Sequence, residues 1–226
     1  MKTSEPRWWT KWEPLLKAYI YNTIFESMFL KYFFLLTAVM ALSCRHTTPE
    51  TQHGSLVIIH IQPFAGISHE RVLLVTKQLN AVFPHFVINE EIPLPSFAYY
   101  PERGRYKADS LLEFLSARTP EDQITLGLTD RDISTTKGDT KDWGVMGLGY
   151  QPGNACVVSS FRLDQKDIDS QFYKVCIHEL GHTEGLAHCT EKTCYMRDAE
   201  GHNTTNEEKE FCEKCRQKLI AKGWHF

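Results

Sequence analysis

Beyond residue 54 the chain alternates short apolar runs with longer stretches in which apolar residues recur every three or four positions. Leu56-Val57-Ile58-Ile59-His60-Ile61, bounded by Gly54 and Pro63, is a β-branched run of the kind that forms a buried strand. Ser68 to Phe83 carries Val72, Leu73, Leu74, Val75 and Leu79 at helical spacing, with Ser68 as N-cap, Arg71 where a capping box would have Glu, and Pro84 as the stop. Phe86-Val87-Ile88 reads as a second strand. The prolines at 93, 95 and 101 make Ile92–Pro101 a loop with an aromatic tip at Phe97, Tyr99 and Tyr100. Arg105 to Arg118 predicts a helix through Ala108, Leu111, Leu112 and Leu115, stopped by Thr119-Pro120. Gln123 to Thr129 is a third strand running into the charged turn Asp130-Arg131-Asp132. Trp143 to Tyr150, with Gly144, Gly147 and Gly149, reads as an edge strand, and Ala155 to Ser160 completes a sheet. Glycines in such an edge suit either close pairing with an extended peptide or an ordinary hairpin. Asp167 to Glu184 predicts a helix with Phe172, Val175 and Leu180 on its inner face.

The first 54 residues follow a different pattern. Met1 to Ser27 has mixed charge and three tryptophans without an amphipathic period. From Met28 the text becomes that of a secretory signal: Met28-Phe29-Leu30-Lys31, then the mostly apolar run Tyr32 to Leu42, then Ser43-Cys44. The run is shorter than the ~20 residues that a spanning helix needs. Ala41-Leu42-Ser43-Cys44 is similar to a bacterial lipobox, with Ala41 where leucine is usual, so Cys44 is a candidate for lipidation and the N-terminus for membrane anchoring; an uncleaved membrane-associating segment is the alternative. Arg45 to Gly54 is polar and reads as a tether. The expected organisation is a leader, signal and tether over 1–54 and a catalytic domain over 55–226, the latter divided into 55–188 and a cysteine-rich part, 189–226. Export with lipid anchoring is the expected localisation, and a cytoplasmic chain is the alternative.

Composition narrows the classes. A length of 226 residues suffices for one well-buried domain plus extras, and a formal charge of −3 without basic runs argues against a nucleic-acid partner. A peptide or protein substrate and a monomeric chain are the expectation.

The chemistry is concentrated in Val175 to Cys189, which reads H-E-x-x-H-x-x-G-x-x-H-C from His178. On a helix His178 and His182 lie one turn apart on a single face and can hold one Zn²⁺. Glu179 beside them is suited to be the general base, because zinc lowers the pKa of water towards ~7 and a neighbouring carboxylate can take the proton. Gly185 lets the backbone leave the helix and return His188 as a third ligand. Three nitrogens leave a position open, which marks a catalytic rather than a structural metal.

Cys189-x₄-Cys194 and Cys212-x-x-Cys215 supply four thiols in two close pairs, the spacing of a structural Cys₄ zinc. Two disulfides are the rival reading, which an oxidising compartment would favour. A redox C-x-x-C is the third, but no thioredoxin-type strand–turn–helix surrounds Cys212. Cys156 and Cys176 read as small buried hydrophobes.

The run from His178 to Cys189, then Cys194-Tyr195-Met196, then Cys212 and Cys215, resembles the archaemetzincin (archaelysin) family of the metzincin clan. The resemblance covers the C-terminal third and implies a zinc metallopeptidase of aminopeptidase or endopeptidase type. It implies two zinc ions: a catalytic one on His178, His182 and His188 with Glu179 as base, and a structural one on Cys189, Cys194, Cys212 and Cys215. It also implies that Met196 forms the methionine turn beneath the catalytic metal. The implied fold is α/β (α+β, metzincin-like), with a mixed, mostly parallel twisted sheet, an antiparallel edge strand, an active-site helix, and a C-terminal helix in the cysteine-rich part. The opposing class is a non-catalytic zinc-binding surface domain that keeps the scaffold.

Overall fold

A computed structural model describes residues 57–226. The expected signal at 28–44, its Cys44 and the tether lie outside the described residues. No helix among the described residues is long and apolar enough to cross a membrane.

The main sheet is built from β1 (Ile59–Pro63), β2 (Phe86–Ile88), β5 (Ile124–Thr129), β8 (Gly147–Gly149) and β9 (Ala155–Ser159), in the order β2-β1-β5-β9-β8. The first four strands in that order run parallel, and β8 pairs antiparallel on the edge. This is the mixed sheet with an antiparallel edge that the sequence predicts. Every residue of β5 is buried, Thr125 and Thr129 included, as expected of a strand at the centre of a parallel sheet covered on both faces.

Helices cover both faces of the sheet. Helix α1 (His69–Asn80) and helix α3 (Ile168–Thr183) pack against Ile59, Ile61, Leu126, Leu128, Cys156 and Val158. Helix α2 (Ala108–Ser116) covers the other face over Ala155 and Val157. The two-residue alternation of β9 thus feeds two cores. Ser68 caps α1 as expected, its Oγ accepting the Arg71 N–H at 3.4 Å. Arg71 does more than occupy the capping-box position: its Nε meets Asp169 Oδ1 at 3.0 Å and ties α1 to α3. Helix α4 (Glu213–Ile220) closes the chain, followed by Trp224, which is fully buried with its ring centroid 5.4 Å from that of Phe83.

A second sheet has the order β3-β4-β6-β7, built from β3 (Tyr99–Tyr100), β4 (Arg105–Lys107), β6 (Ile133–Lys137) and β7 (Thr140–Val145). Here the structure departs from the sequence reading. The helix expected from Arg105 begins only at Ala108, because Arg105–Lys107 pairs with β3 and β6. Distant charges hold these residues extended: Arg105 lies 3.0 Å from Asp132 and 3.2 Å from Asp142, and Lys107 lies 3.6 Å from Asp142. The expected loop Ile92–Pro101 contains a short 3₁₀ turn at Ser96–Ala98 and then β3. The charged turn at 130–132 leads into a β6–β7 hairpin, which Ile133-Ser-Thr-Thr-Lys did not signal because only its first residue is apolar. The expected strand Trp143–Tyr150 divides at Met146: its first part ends β7 in the second sheet and its last part is β8 in the first.

Candidate active site and metal centres

Helix α3 carries His178, Glu179 and His182, and its exit brings in the third histidine. Gly185 adopts a left-handed conformation with φ +90°, its N–H donating to the His182 carbonyl at 2.8 Å, while the Leu186 N–H reaches the Gly181 carbonyl at 2.9 Å. The chain turns back, and one ring nitrogen from each of His178, His182 and His188 falls within 4.8 Å of the others.

The protonation of two of these rings follows from their partners. His178 Nδ1 lies 2.6 Å from the Tyr195 carbonyl and His182 Nδ1 lies 2.8 Å from the Leu186 carbonyl. A carbonyl can only accept, so both protons sit on Nδ1 and both Nε2 atoms present lone pairs. Those two Nε2 atoms face each other at 3.0 Å. Two acceptors so close repel each other unless a cation lies against both, so the residues fit a metal ion. Burial, with His182 alongside, holds His178 in the neutral form required of a ligand, its pKa pushed down to about 3. Burial likewise lowers that of His182. His188 differs: its side chain is 47% exposed, and its Nδ1 lies 3.3 Å from Asp198 Oδ2.

Glu179 is buried against β8. A Cβ at Gly147 would stand 2.6 Å from Glu179 Oε1 and 2.7 Å from its Cγ, and one at Gly149 would stand 3.3 Å from Oε2. The glycines of this strand therefore make room for Glu179, a reason the sequence reading did not contain. Burial pushes the Glu179 carboxyl up to about 8.

Met196 is fully buried, and a Cβ at Gly181 would stand 2.5 Å from its Sδ. The glycine within H-E-x-x-H thus admits the methionine against the helix between the histidines. The turn at Met196 is tied to the histidine loop by the Cys189 N–H, which donates to the Met196 carbonyl at 2.7 Å.

The four sulfurs of Cys189, Cys194, Cys212 and Cys215 also converge within 4.8 Å, none of them in a disulfide. Cys189 Sγ and Cys212 Sγ are 3.7 Å apart. Ligands placed tetrahedrally about 2.3 Å from a zinc ion stand about 3.8 Å from each other, so this spacing fits a thiolate metal site far better than the ~2.05 Å bond of a disulfide. Cys156 and Cys176 are buried, as expected of small core residues.

A cleft of about 580 Å³ opens over the histidines. One wall is Trp143 to Gly149 with Thr135 to Lys137; the other is Arg197 to Asn203 with Thr205 and Glu208. Arg162 stiffens the first wall, its Nε and Nη2 donating to the two carboxylate oxygens of Asp132 at 2.8 and 2.9 Å. The structure thus brings together all seven expected ligands, Glu179 and Met196. The sequence reading missed Gly147 and Gly149 as the seat of Glu179, Gly181 as the seat of Met196, and Asp198.

This arrangement is matched by known proteins. Residues 60–221 fit the model of peptidase family M54. The chain belongs to that family. Among its relatives, the archaemetzincin of Methanocaldococcus jannaschii is 31% identical over 175 residues, 73% of this chain and 94% of that one. The archaemetzincin of Archaeoglobus fulgidus is 30% identical over 170 residues, 71% of this chain and 98% of its own length. The crystal structure of the latter protein, complexed with malonate, superposes with a TM-score of 0.63 at 28% identity, covering 72% of this chain and 99% of that one. The archaemetzincin of Methanopyrus kandleri gives 0.62 at 27% identity, with coverages of 75% and 99%. The fold is that of the archaemetzincins, and the protein is a zinc-dependent metallopeptidase, a hydrolase of peptide bonds.

Proposed function

We propose that this family member hydrolyses peptides with His178, His182 and His188 holding a catalytic zinc and Glu179 serving as general base. The two histidine lone pairs facing each other at 3.0 Å, with the buried Glu179 alongside, are the observation that carries the reading. Zinc bound there would supply Lewis acidity, polarising a carbonyl and acidifying water. Beside a dication the Glu179 carboxylate is favoured over the acid, countering the effect of burial. Glu179 then takes the proton of the attacking water and passes it to the leaving amine. Its seat against Gly147 and Gly149 fixes the direction from which it acts. An extended peptide lies along the wall from Trp143 to Gly149.

The thiols of Cys189, Cys194, Cys212 and Cys215 hold a second, structural zinc in this reading, which the 3.7 Å sulfur spacing supports. Export and anchoring through Cys44 rest on the pattern of residues 28–44 alone. Metabolic labelling with a fatty-acid analogue tests them, with Cys44→Ala expected to lose the label.

The deciding experiment is Glu179→Gln in zinc-loaded protein. Activity on a peptide library should fall by about 10²–10⁴-fold with two zinc ions per chain retained by elemental analysis. Undiminished hydrolysis would remove Glu179 from the mechanism. Substrates with free and blocked N-termini tell aminopeptidase from endopeptidase action.

A further inference from the structure

Of the three clustered histidines, two have Nδ1 fixed by backbone carbonyls, those of Tyr195 and Leu186. Those carbonyls belong to the main chain, so no substitution removes them. Among the described residues His188 has no carbonyl partner; its Nδ1 faces the carboxylate of Asp198 at 3.3 Å. Both side chains are about half exposed, so packing alone does not fix the His188 ring. A metal-bound imidazole needs its second nitrogen held, because that partner sets the tautomer and ring orientation and strengthens the donor.

Asp198 is itself held in place. Its Oδ1 accepts the Glu200 N–H at 2.9 Å, an Asx turn that stabilises the left-handed Glu200 at φ +48°. Oδ2 is left for His188. The two carboxylate oxygens thus have separate tasks: one shapes the loop at 198–201, and the other faces the ring.

We propose that Asp198 is a positioning residue of the peptidase, holding His188 with its proton on Nδ1 so that Nε2 points at the site shared with His178 and His182. The inference rests on the reading of His188 as a metal ligand. Asp198 lies in the cleft wall, and the ring it faces is that of His188. It acts on the histidine site through His188, so its removal is expected to cost metal affinity there.

The split tasks of Asp198 allow a clean test. Asp198→Asn keeps an oxygen for the Glu200 turn and gives up the second acceptor. Asp198→Ala gives up both. The metal-free full-length chain is titrated with Co²⁺ and then Zn²⁺ against a competing chelator. Sulfur-to-metal charge-transfer absorption reports the thiolate site separately from the histidine site. Both variants should bind metal at the histidine site about 10–100-fold more weakly, with the thiolate site unchanged. Affinity within twofold of the parent in both variants would overturn the proposal. So would a loss confined to Asp198→Ala, which would assign Asp198 to the loop alone, or a loss at both sites, which would mark a general folding defect. His188→Ala, run in parallel, separates the two readings: unchanged affinity there removes His188 from the ligand set, whereas a loss there with none in the Asp198 variants refutes the positioning role only.

Discussion

Replacing Gly147 by Ala probes whether β8 seats the catalytic carboxylate. The new methyl would meet Glu179 Oε1 at 2.6 Å, Cγ at 2.7 Å and Cδ at 2.9 Å, all below the roughly 3.4 Å of ordinary contact, and Glu179 is buried with little space to yield. Relief needs a shift of about 0.8 Å, the difference between 3.4 and 2.6 Å, by the carboxylate or by β8. Misplacement of a reacting group by about 1 Å can cost 10²-fold in rate, equivalent to about 2.7 kcal/mol of transition-state stabilisation. Overpacking adds about 1–3 kcal/mol of lost stability. We expect Gly147→Ala to fold, to keep its metal content and to lose about 10²-fold in kcat on a peptide substrate. In a Glu179→Gln background the same substitution should cost little more, because its effect passes through the missing carboxylate. Activity of Gly147→Ala within about threefold of the parent, or a full additional loss in the double variant, would refute the argument.

Gly181→Ala should lower Tm even though alanine is the better helix former by about 1 kcal/mol, because its Cβ would stand 2.5 Å from the sulfur of the fully buried Met196; a rise in Tm would contradict this. Cys212→Ser with Cys215→Ser should release one zinc ion per chain by elemental analysis and also slow hydrolysis, since Cys189 joins the histidine loop to the Met196 carbonyl at 2.7 Å; unchanged activity would show that the two centres are independent. Burial raises the carboxyl of Glu208 above its ordinary 4.5, although Thr204 donates to it and Lys174 lies near. Between 4.5 and that raised value the folded protein holds a proton that the unfolded chain has lost, so stability falls as pH rises through the window. The Tm of Glu208→Gln relative to the parent should therefore climb across that window and then level off. A flat difference in melting curves taken across the range would refute the assignment.

What the sequence determined is local chemistry tied to a fixed spacing. The histidines at 178 and 182 face one way because a helix repeats every 3.6 residues, and Gly185 turns the chain because a backbone φ near +90° is cheap only for glycine. The strands at 59–63 and 124–129 were legible because strands covered on both faces are rich in apolar and β-branched residues, here Ile59, Ile61, Ile124, Leu126 and Leu128. What only the tertiary structure decided lies where distant segments meet. Arg105–Lys107 continues a helical pattern, yet it is a strand because Asp132 and Asp142 arrive from elsewhere to pair with it. The hairpin at 133–145 forms part of one cleft wall although β6 has little apolar signal, since only Ile133 enters a hydrophobic core and the strand is held by its pairing with β4 and β7. In sequence, Gly147 and Gly149 suggested only an edge open to close backbone pairing or a hairpin, and Gly181 suggested nothing. Their message is the space they leave, for Glu179 and for Met196, and space between elements exists only after the elements have packed.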